Sequence, residues 1–368
     1  MNDYKSISDL LFEKSVGIDV SKNLKERELF VVYTGLKGIS GEEVVWTNIK
    51  YIKDKLNMLD SLYRKVCSIK NVEPKETIFV DGYYSATIEG AKTTIGYVKS
   101  CFNNPIGKSE KMVVNTYKAI VYAKENNILS EKNLLKAWSI IVGDVCENVS
   151  VRGSKYRSGM VYVGNSYKVI HTPPDHVEIQ GFMNLLFNYI KARKRSFHES
   201  LIISIICHFY LVYVHPMCDG NGRLARLLML SYLNECGFEK VLNISISKSI
   251  NEMLSGYYKS LSESEKSLML NGRKVLDVTP FILYMIDVFE RSMSLYIGFC
   301  KNNLTDKESL LIRKMKKKRG EGSEITVVNC MKALKVSEST SRKVLNALVE
   351  KGLLSRIRVG RKFVYRLL

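Results

Sequence analysis

The chain has 368 residues and carries 56 Lys and Arg against 37 Asp and Glu, a formal charge of +19 at pH 7. With 46% hydrophobic and 25% charged residues, it is expected to form two or three domains with sizeable cores rather than a disordered chain. The positive excess indicates an anionic partner, such as nucleic acid, nucleotide phosphates or an acidic membrane surface.

Apolar residues recur at helical spacing through much of the chain before residue 300, which predicts a mainly α body. Near the start, residues 28–33 alternate as a strand does, and a helical pattern runs through Trp46, Ile49, Ile52, Leu56, Leu59 and Leu62. Further helices are predicted at 110–125, 130–145, 180–193, 198–214, 223–236 and 278–298. A hairpin-like stretch interrupts them at about 151–172. The predicted regions are 1–80, 81–300 and 301–368.

The cysteines are spread along the chain without CxxC pairs, and five histidines are scattered among them. This spacing predicts neither a zinc site nor a disulfide framework, and buried reduced thiols favour a cytoplasmic protein. The N-terminus has no apolar signal segment. The most apolar run, residues 201–214, is shorter than the roughly 20 residues that span a bilayer. We interpret it as a buried core helix and expect no membrane partner.

The most informative segment is HPMCDGNGRLAR, residues 215–226, which follows the apolar helix and opens the next one. Gly220, Asn221 and Gly222 stand at the start of that second helix. Glycines let a phosphate approach the backbone, and free N–H groups and the helix dipole favour an anion there. This arrangement predicts an anion cradle.

Four side chains around the cradle have complementary chemistry. Arg223 and Arg226 are three positions apart, so both can project to one side and hold two phosphates. Asp219 suits a hard cation such as Mg²⁺, and His215 suits a general base. Each element alone is commonly structural, but their joint spacing is far rarer and predicts phosphate chemistry.

This run resembles the signature of the Fic family, H-P-F-x-D/E-G-N-G-R-x-x-R, with Met217 where the family usually has Phe. The resemblance extends over about residues 80–300. It implies a fold that is mainly α, with a Fic-type helical core and a short β-hairpin flap. It also implies transfer of a nucleoside monophosphate, usually AMP from ATP, to a Ser, Thr or Tyr hydroxyl of a target protein. His215 would remove the hydroxyl proton, Asp219 would hold Mg²⁺, and the two arginines would hold the β and γ phosphates.

The resemblance also implies contacts outside the signature. The segment 156–174, which ends in paired prolines, corresponds to the flap, with Val163 and Gly164 as nucleotide contacts. Its edge, residues 160–166, would pair with an extended segment of the target. Tyr258, the second of a Tyr-Tyr pair, would lie near the base. Glu265 stands where relatives often have Asn, which leaves the base preference open.

The segment SATIEG places Ser85 and Glu89 four positions apart, on one helix face. It resembles the inhibitory helix of Fic relatives, S/T-x-x-x-E-G/N, although Ala91 stands where an Asn commonly follows. The resemblance implies that Glu89 pairs with Arg226, so that ATP binds with its α-phosphate misaligned for attack. In some relatives the same glutamate orients a water that removes AMP, a second activity that the resemblance allows. For the motif alone, a solvated glutamate is the alternative.

From residue 301 to 368 the chain has 18 basic against 6 acidic residues, which marks a boundary near 300. Thr305 and Glu308 form a capping-box pattern at the start of a helix that reaches about residue 319. A helix-turn-helix follows at 325–336 and 337–354, with Ser337 as N-cap, and residues 357–367 alternate about Gly360 as a two-stranded wing. The tail therefore resembles a winged helix-turn-helix domain.

In such a domain Arg342 and Lys343 would lie near the start of the recognition helix, and Arg358 and Arg361 on the wing. There they would meet the phosphates of double-stranded DNA. The alternative is a protein-docking or dimerisation module with a solvated run of charge.

The resulting hypothesis is a self-inhibited protein adenylyltransferase that uses ATP and Mg²⁺. One alternative is a DNA-binding regulator whose Fic core senses nucleotide, but a sensor needs the arginines and no base such as His215. Another is Fic-type transfer of a different nucleotide, a phosphate or phosphocholine. We assign no chemistry to residues 1–80; target access and a homodimer contact are the roles considered for them.

Overall fold

The computed structural model describes residues 4–69, 74–143, 155–165, 168–191, 195–302, 305–319, 323–351, 353–359 and 362–367. The chain divides into two compact units, residues 1–58 with 75–289, and residues 59–74 with 290–368. These limits differ from the regions expected from the sequence, because early strands pair with strands that lie more than 200 residues later.

Helices form most of the described chain. In order they are α1 (Ile7–Ser15), α2 (Ser21–Phe30), α3 (Lys50–Ser68), α4 (Pro74–Ile88), α5 (Ile95–Ser100), α6 (Lys108–Glu125), α7 (Glu131–Val142), α8 (Ile179–Tyr189), α9 (Phe197–Val214), α10 (Asn221–Glu235), α11 (Ile246–Glu252), α12 (Leu254–Ser264), α13 (Thr279–Asn302), α14 (Asp306–Arg319), α15 (Val327–Leu334) and α16 (Glu338–Glu350). The strands are β1 (Val31–Lys37), β2 (Glu43–Thr47), β3 (Val163–Asn165), β4 (Lys168–His171), β5 (Ser267–Leu270), β6 (Arg273–Asp277), β7 (Glu324–Ile325), β8 (Leu354–Val359) and β9 (Lys362–Leu367). The mainly α prediction is confirmed.

The first unit contains a four-stranded sheet that the sequence did not predict, in the order β1-β2-β6-β5. Strands β2 and β6 are parallel and the other pairs antiparallel. Two local predictions are wrong here. Trp46, placed in a helical pattern, lies in β2, and residues 28–30, placed in a strand, end α2. The strands are short and pair with segments far along the chain. The local spacing of apolar residues therefore did not distinguish helix from strand here.

Helix α9 forms the centre of the first unit, as the apolar run predicted. Ser196 and Glu199 close a capping box at its start. By length and composition this is the one helix in the described part of the chain that passes as a membrane span, but 83% of it is buried inside the structure. Helix α10 packs against α9, and α6 and α7 pack against α10. This packing fixes the loop between α9 and α10.

The flap is an antiparallel hairpin of β3 and β4, with a bulge between Val163 and Gly164. It is shorter than the predicted stretch, of which residues 151–154 and 166–167 lie outside the described residues.

The second unit contains the predicted winged helix. Helices α14, α15 and α16 pack with a sheet in the order β7-β9-β8 around Leu311, Cys330, Leu345, Leu348 and Tyr365. The capping pair of Thr305 and Glu308 is present, and Ser337 caps α16 through the Thr340 backbone N–H. Both capping predictions are confirmed. Gly360, the predicted turn of the wing, lies outside the described residues.

A buried ion pair connects the two ends of the first unit. Arg27 Nη1 lies 3.1 Å from Asp277 Oδ2, and both side chains are fully buried. Tyr4 and Thr47 also donate to Asp277 Oδ2, while the Thr279 backbone and hydroxyl donate to its other oxygen. Such satisfied geometry is what a buried carboxylate requires.

We therefore expect Asp277→Ala to lower the free energy of unfolding by about 3–5 kcal/mol, because it leaves Arg27 buried without a counter-charge. Urea denaturation monitored on the first unit measures this loss. The control is Asp287→Ala, which removes a 3.4 Å pair with Lys55 whose carboxylate is 57% exposed. The control should cost at most about 1 kcal/mol. Equal losses of unfolding free energy in the two variants would show that the buried pair stabilises the fold no more than the exposed pair does.

Candidate active site

The loop between α9 and α10 is held in one conformation by backbone geometry and two side chains. His215 ends α9 in the left-handed region (φ 50°), and Gly220 takes φ 79° before α10 begins. The Asn221 amide bonds the Met217 backbone in both directions at 2.8 Å. Trp138 of α7 donates to the Asp219 carbonyl at 2.9 Å. The Asn221 side chain is thus committed to closing the loop, and what it offers an anion is its backbone N–H.

His215 is arranged as a base. Its Nδ1 lies 3.2 Å from the Val212 carbonyl oxygen, which only accepts, so Nδ1 carries the hydrogen and Nε2 keeps its lone pair. Burial lowers the pKa of the His215 imidazole to about 4. The ring is therefore neutral near pH 7 and able to take a proton.

The N-terminus of α10 is the predicted anion cradle, and a carboxylate already lies against it. The first N–H groups of a helix have no intrahelical partner, and Gly220 supplies no side-chain cap. A Cβ placed at Gly222 would collide with Oε1 of Glu89. Only glycine at 222 therefore lets the Glu89 carboxylate approach the start of the helix.

The same carboxylate pairs with Arg226. Glu89 Oε1 lies 2.8 Å from Arg226 Nη2, as the resemblance implied. Ser85, one turn earlier on α4, accepts from Arg226 Nε at 2.8 Å through its hydroxyl and from Nη2 at 2.9 Å through its carbonyl. Arg226 Nη1 is buried and has no hydrogen-bond partner among the described residues. Arg226 is thus occupied by Ser85 and Glu89, and the two N–H groups of its Nη1 are left over.

Arg223 and Asp219 lie on the other side of the cradle. The Arg223 guanidinium is fully buried and donates to the Ile141 carbonyl at 3.2 Å, with Asp219 Oδ2 at 3.4 Å. Its Nε has no partner among the described residues. Asp219 is about half exposed, and its Oδ1 accepts from the Gly220 N–H at 2.6 Å. Arg223 and Arg226 are both buried and line one small cavity together with Ser85.

A magnesium ion fits this donor set only together with phosphate. Asp219 presents one partly exposed carboxylate, the number of protein ligands that Mg²⁺ commonly takes when substrate phosphates complete its shell. Within the described residues no group of three His, Cys, Asp or Glu converges on a metal position. Asp219 is the residue that would hold the ion.

The flap is anchored to this loop by Arg157, which the sequence did not single out. Its Nε donates to the His215 carbonyl at 2.9 Å, and its Nη1 and Nη2 donate to the Gly159 and Pro174 carbonyls at 2.7 and 2.5 Å. The Arg157 backbone N–H donates to the Pro216 carbonyl at 2.9 Å. The two ends of the flap are therefore joined to each other and to the base.

The remaining predicted nucleotide contacts lie on the flap and on α12. Val163 and Gly164 are on β3, opposite His171 and Val169 of β4. Tyr258 is 49% exposed, whereas its neighbour Tyr257 is buried and bonded to His208. Burial raises the pKa of Tyr258, and the charge of Glu89 raises it further. Tyr258 thus lies within the electrostatic field of the Glu89 carboxylate.

Sequence reasoning missed Arg157, His171 and Trp138. Each acts through a bond to a backbone carbonyl that lies from 42 to 81 residues away, and such partners leave no local pattern. The one available signal was an arginine and a histidine within the flap segment itself.

In the second unit, the predicted DNA contacts have different surroundings. Arg342 and Lys343 are exposed on the first turns of α16, but Arg342 pairs with Glu338 at 2.7 Å. Arg358 is exposed on β8, and Arg361 lies outside the described residues. Arg356, also on β8, stacks over Phe363 at 4.8 Å.

Known protein families match one segment in each of the two units. The sequence profile of the Fic/DOC family matches residues 128–233, and that of the penicillinase repressor matches 304–368. The protein adenylyltransferase Fic of Aedes aegypti is 24% identical over 257 residues, 67% of this chain and 47% of that protein. Its counterpart in Culex quinquefasciatus is 26% identical over 254 residues, covering 66% and 46%. The chain spans about half the length of the curated relatives it matches.

Two solved structures share the fold. A Fic family protein from Desulfovibrio desulfuricans G20 matches with a TM-score of 0.56 at 20% identity, covering 85% of this chain and 96% of that one. Fic-1 from C. elegans (residues 134–508) matches with a TM-score of 0.53 at 19% identity, covering 69% and 74%. At this identity the likeness shows the helical core alone.

The environment of His215 predicts that its imidazole stays neutral well below pH 6. Since burial penalises the charged form, the stability that the neutral ring contributes should be lost only as pH falls from about 6.5 towards 4. With isotope-labelled histidine, the NMR signal that disappears in His215→Asn should keep its neutral-form shift at pH 5. A midpoint between pH 6 and 7 would contradict this account of the base.

Proposed function

We propose that this chain, which carries a Fic domain at residues 128–233 and a winged-helix domain at 304–368, transfers AMP from ATP to a hydroxyl of a target protein. The observation that carries the proposal is a neutral histidine whose Nε2 keeps its lone pair, beside a helix start that presents backbone N–H groups. The curated relatives named adenylyltransferases support Fic-type nucleotide transfer.

The reaction follows from these groups. The target hydroxyl oxygen attacks the α-phosphorus of ATP while its proton passes to Nε2 of His215. The bond from the α-phosphorus to the bridging oxygen breaks, and pyrophosphate leaves with that oxygen. Backbone N–H groups at the start of α10 and the buried guanidinium of Arg226 stabilise the phosphate charge. When bound at Asp219, Mg²⁺ would neutralise further charge on the phosphates.

In the resting chain, Glu89 blocks this reaction. Its carboxylate pairs with Arg226 and lies against Gly222, so it occupies the side chain and the helix start that the phosphates need. An anion bound there excludes another by charge and by volume. If the same carboxylate orients a water that removes AMP, as the resemblance allows, de-AMPylation would require Glu89 whereas transfer would not.

The flap is the surface on which we propose that the target docks. Met160, Tyr162, Val169 and Ile170 on and beside its strands are about half or more exposed. An extended target segment could add to the hairpin edge through backbone hydrogen bonds, which would fix its register beside His215.

Autolabelling with α-labelled ATP and Mg²⁺ tests transfer and inhibition together. Glu89→Gly should label at least about tenfold faster than wild type, because about 1.4 kcal/mol corresponds to tenfold and a bond to a charged group is worth about 1.5–3 kcal/mol. Adding His215→Ala should lower that rate by about 10²–10⁴-fold. The matched control is Glu125→Gly, an exposed glutamate at the end of α6, which should behave as wild type.

The outcomes separate the parts of the proposal. Equal labelling of wild type and Glu89→Gly would remove the inhibitory role of Glu89. Label on Glu89→Gly from GTP, CTP or UTP but not ATP would retain transfer and change the donor. Absence of label from every donor would contradict the transferase.

We propose a second activity for the winged helix, binding of double-stranded DNA. The observations that favour it are the match to the penicillinase repressor and the exposed basic side chains of Arg342, Lys343 and Arg358. A regulator that only senses nucleotide would show DNA affinity that changes with ATP and would label with none of the variants above.

Binding to a DNA duplex should weaken steeply as salt rises, since each neutralised phosphate contributes about −0.9 to the slope of log K against log salt. Lys343→Ala should reduce that slope by about one across unrelated sequences. The control is Lys99→Ala, a lysine of α5 in the first unit that pairs with Glu76. No binding even at 50 mM salt would favour a protein-docking role for this domain.

A further inference from the structure

The flap has a second anchor, a histidine held between two acceptors. His171, at the end of β4, has Nδ1 2.9 Å from Oε2 of Glu265 and Nε2 2.7 Å from the Tyr213 carbonyl oxygen. His171 is buried, and the Glu265 side chain is 21% exposed. Glu265 follows the last residue of α12, and Tyr213 is in the last turn of α9.

Both ring nitrogens therefore face groups that accept. A backbone carbonyl never donates, and an ionised carboxylate does not donate either. A neutral imidazole has one N–H and would leave a lone pair opposed to an oxygen. The arrangement is satisfied when both nitrogens of His171 carry hydrogen and the ring forms an ion pair with Glu265.

This ion pair is connected to two parts of the candidate active site, strand β3 of the flap and the end of α9. In the hairpin register, His171 is directly opposite Val163, and the bulge lies between this pair and the pair of Gly164 and Val169. The carbonyl that accepts from His171 belongs to Tyr213, two residues before the base His215. Tyr213 is itself fixed, because its hydroxyl accepts from the Ile39 N–H at 2.9 Å and its ring stacks on Phe209.

We propose that His171 and Glu265 form a positioning pair for the transfer reaction: their ion pair holds β4 to the ends of α9 and α12, and so sets the height of β3 over His215. This inference rests on the proposed function. Arg157 anchors the two ends of the flap segment, and the pair anchors strand β4. Strand β3, which would face the nucleotide, is therefore held at two places. The charge of His171 also helps to keep His215 neutral.

The test uses the full chain with Glu89→Gly as the parent. Glu265→Gln keeps the shape of the side chain but removes its charge, and His171→Gln keeps one donor for Tyr213. Each should lower the labelling rate at saturating ATP by about 10–100-fold, the size expected when a reacting group is displaced by about 1 Å. The dissociation constant for ATP should change by less than about threefold, because the phosphates are held at α10. The double variant should be no slower than the slower single variant.

The matched control is His176→Gln. His176 also lies beside a carboxylate, Asp175 at 2.9 Å, but the two side chains are 38% and 49% exposed and follow the flap segment. This control should label at the parent's rate. Rates that multiply in the double variant would overturn the pair, as would Glu265→Gln labelling as fast as the parent.

Hydrogen exchange separates this inference from the proposed function. The amides of Val169, Ile170 and His171 should exchange faster in Glu265→Gln than in the parent, whether or not the parent transfers nucleotide. If the parent does not label and these amides are deprotected, the transferase proposal fails while the anchoring is retained. If the amides are unchanged, the pair does not hold the flap.

Discussion

The contact of Glu89 with the start of α10 is the interaction on which the site depends. A helix N-terminus and a buried arginine attract negative charge, and the Glu89 carboxylate lies against both. Gly222 makes the approach possible because any side chain there would meet Glu89, and Ser85 holds Arg226 in reach of α4. The groups that would bind the phosphates in the proposed reaction are therefore the groups that Glu89 contacts in this structure.

The surrounding structure holds the loop and the flap rigid relative to one another. Asn221 closes the loop on Met217, Trp138 fixes the Asp219 carbonyl, and Arg157 joins both ends of the flap to His215 and Pro216. Most of these bonds join a side chain to a backbone carbonyl or N–H group. The position of a backbone group does not depend on the rotamer of its side chain. Such preorganisation would favour the proposed reaction, because the base and the phosphate cradle would need little rearrangement to reach the transition state.

Burial decides the protonation states that the chemistry needs. His215 remains a neutral base because the imidazolium is poorly solvated inside the loop, while the nearby His208 is kept neutral by still deeper burial. Asp81, on the same face of α4 as Ser85, is buried too, and accepts from the Ser247 backbone and hydroxyl at 2.8 and 3.0 Å. Helix α4, which ends one residue before Glu89, is thus held in place by the polar contacts of Asp81 and Ser85.

The sequence by itself determined the helices with clear periodicity and caps, the loop at 215–226 and the winged helix, because these features depend on spacing within one segment. It also indicated Glu89 and Arg226 as partners, although only through a family resemblance. The sheet β1-β2-β6-β5, the commitment of Asn221 to its own loop, the bond of Arg223 to the Ile141 carbonyl and the two anchors of the flap were decided by the tertiary structure. Each of these depends on which distant backbone groups remain unpaired once the helices have packed, and that is a property of the folded chain.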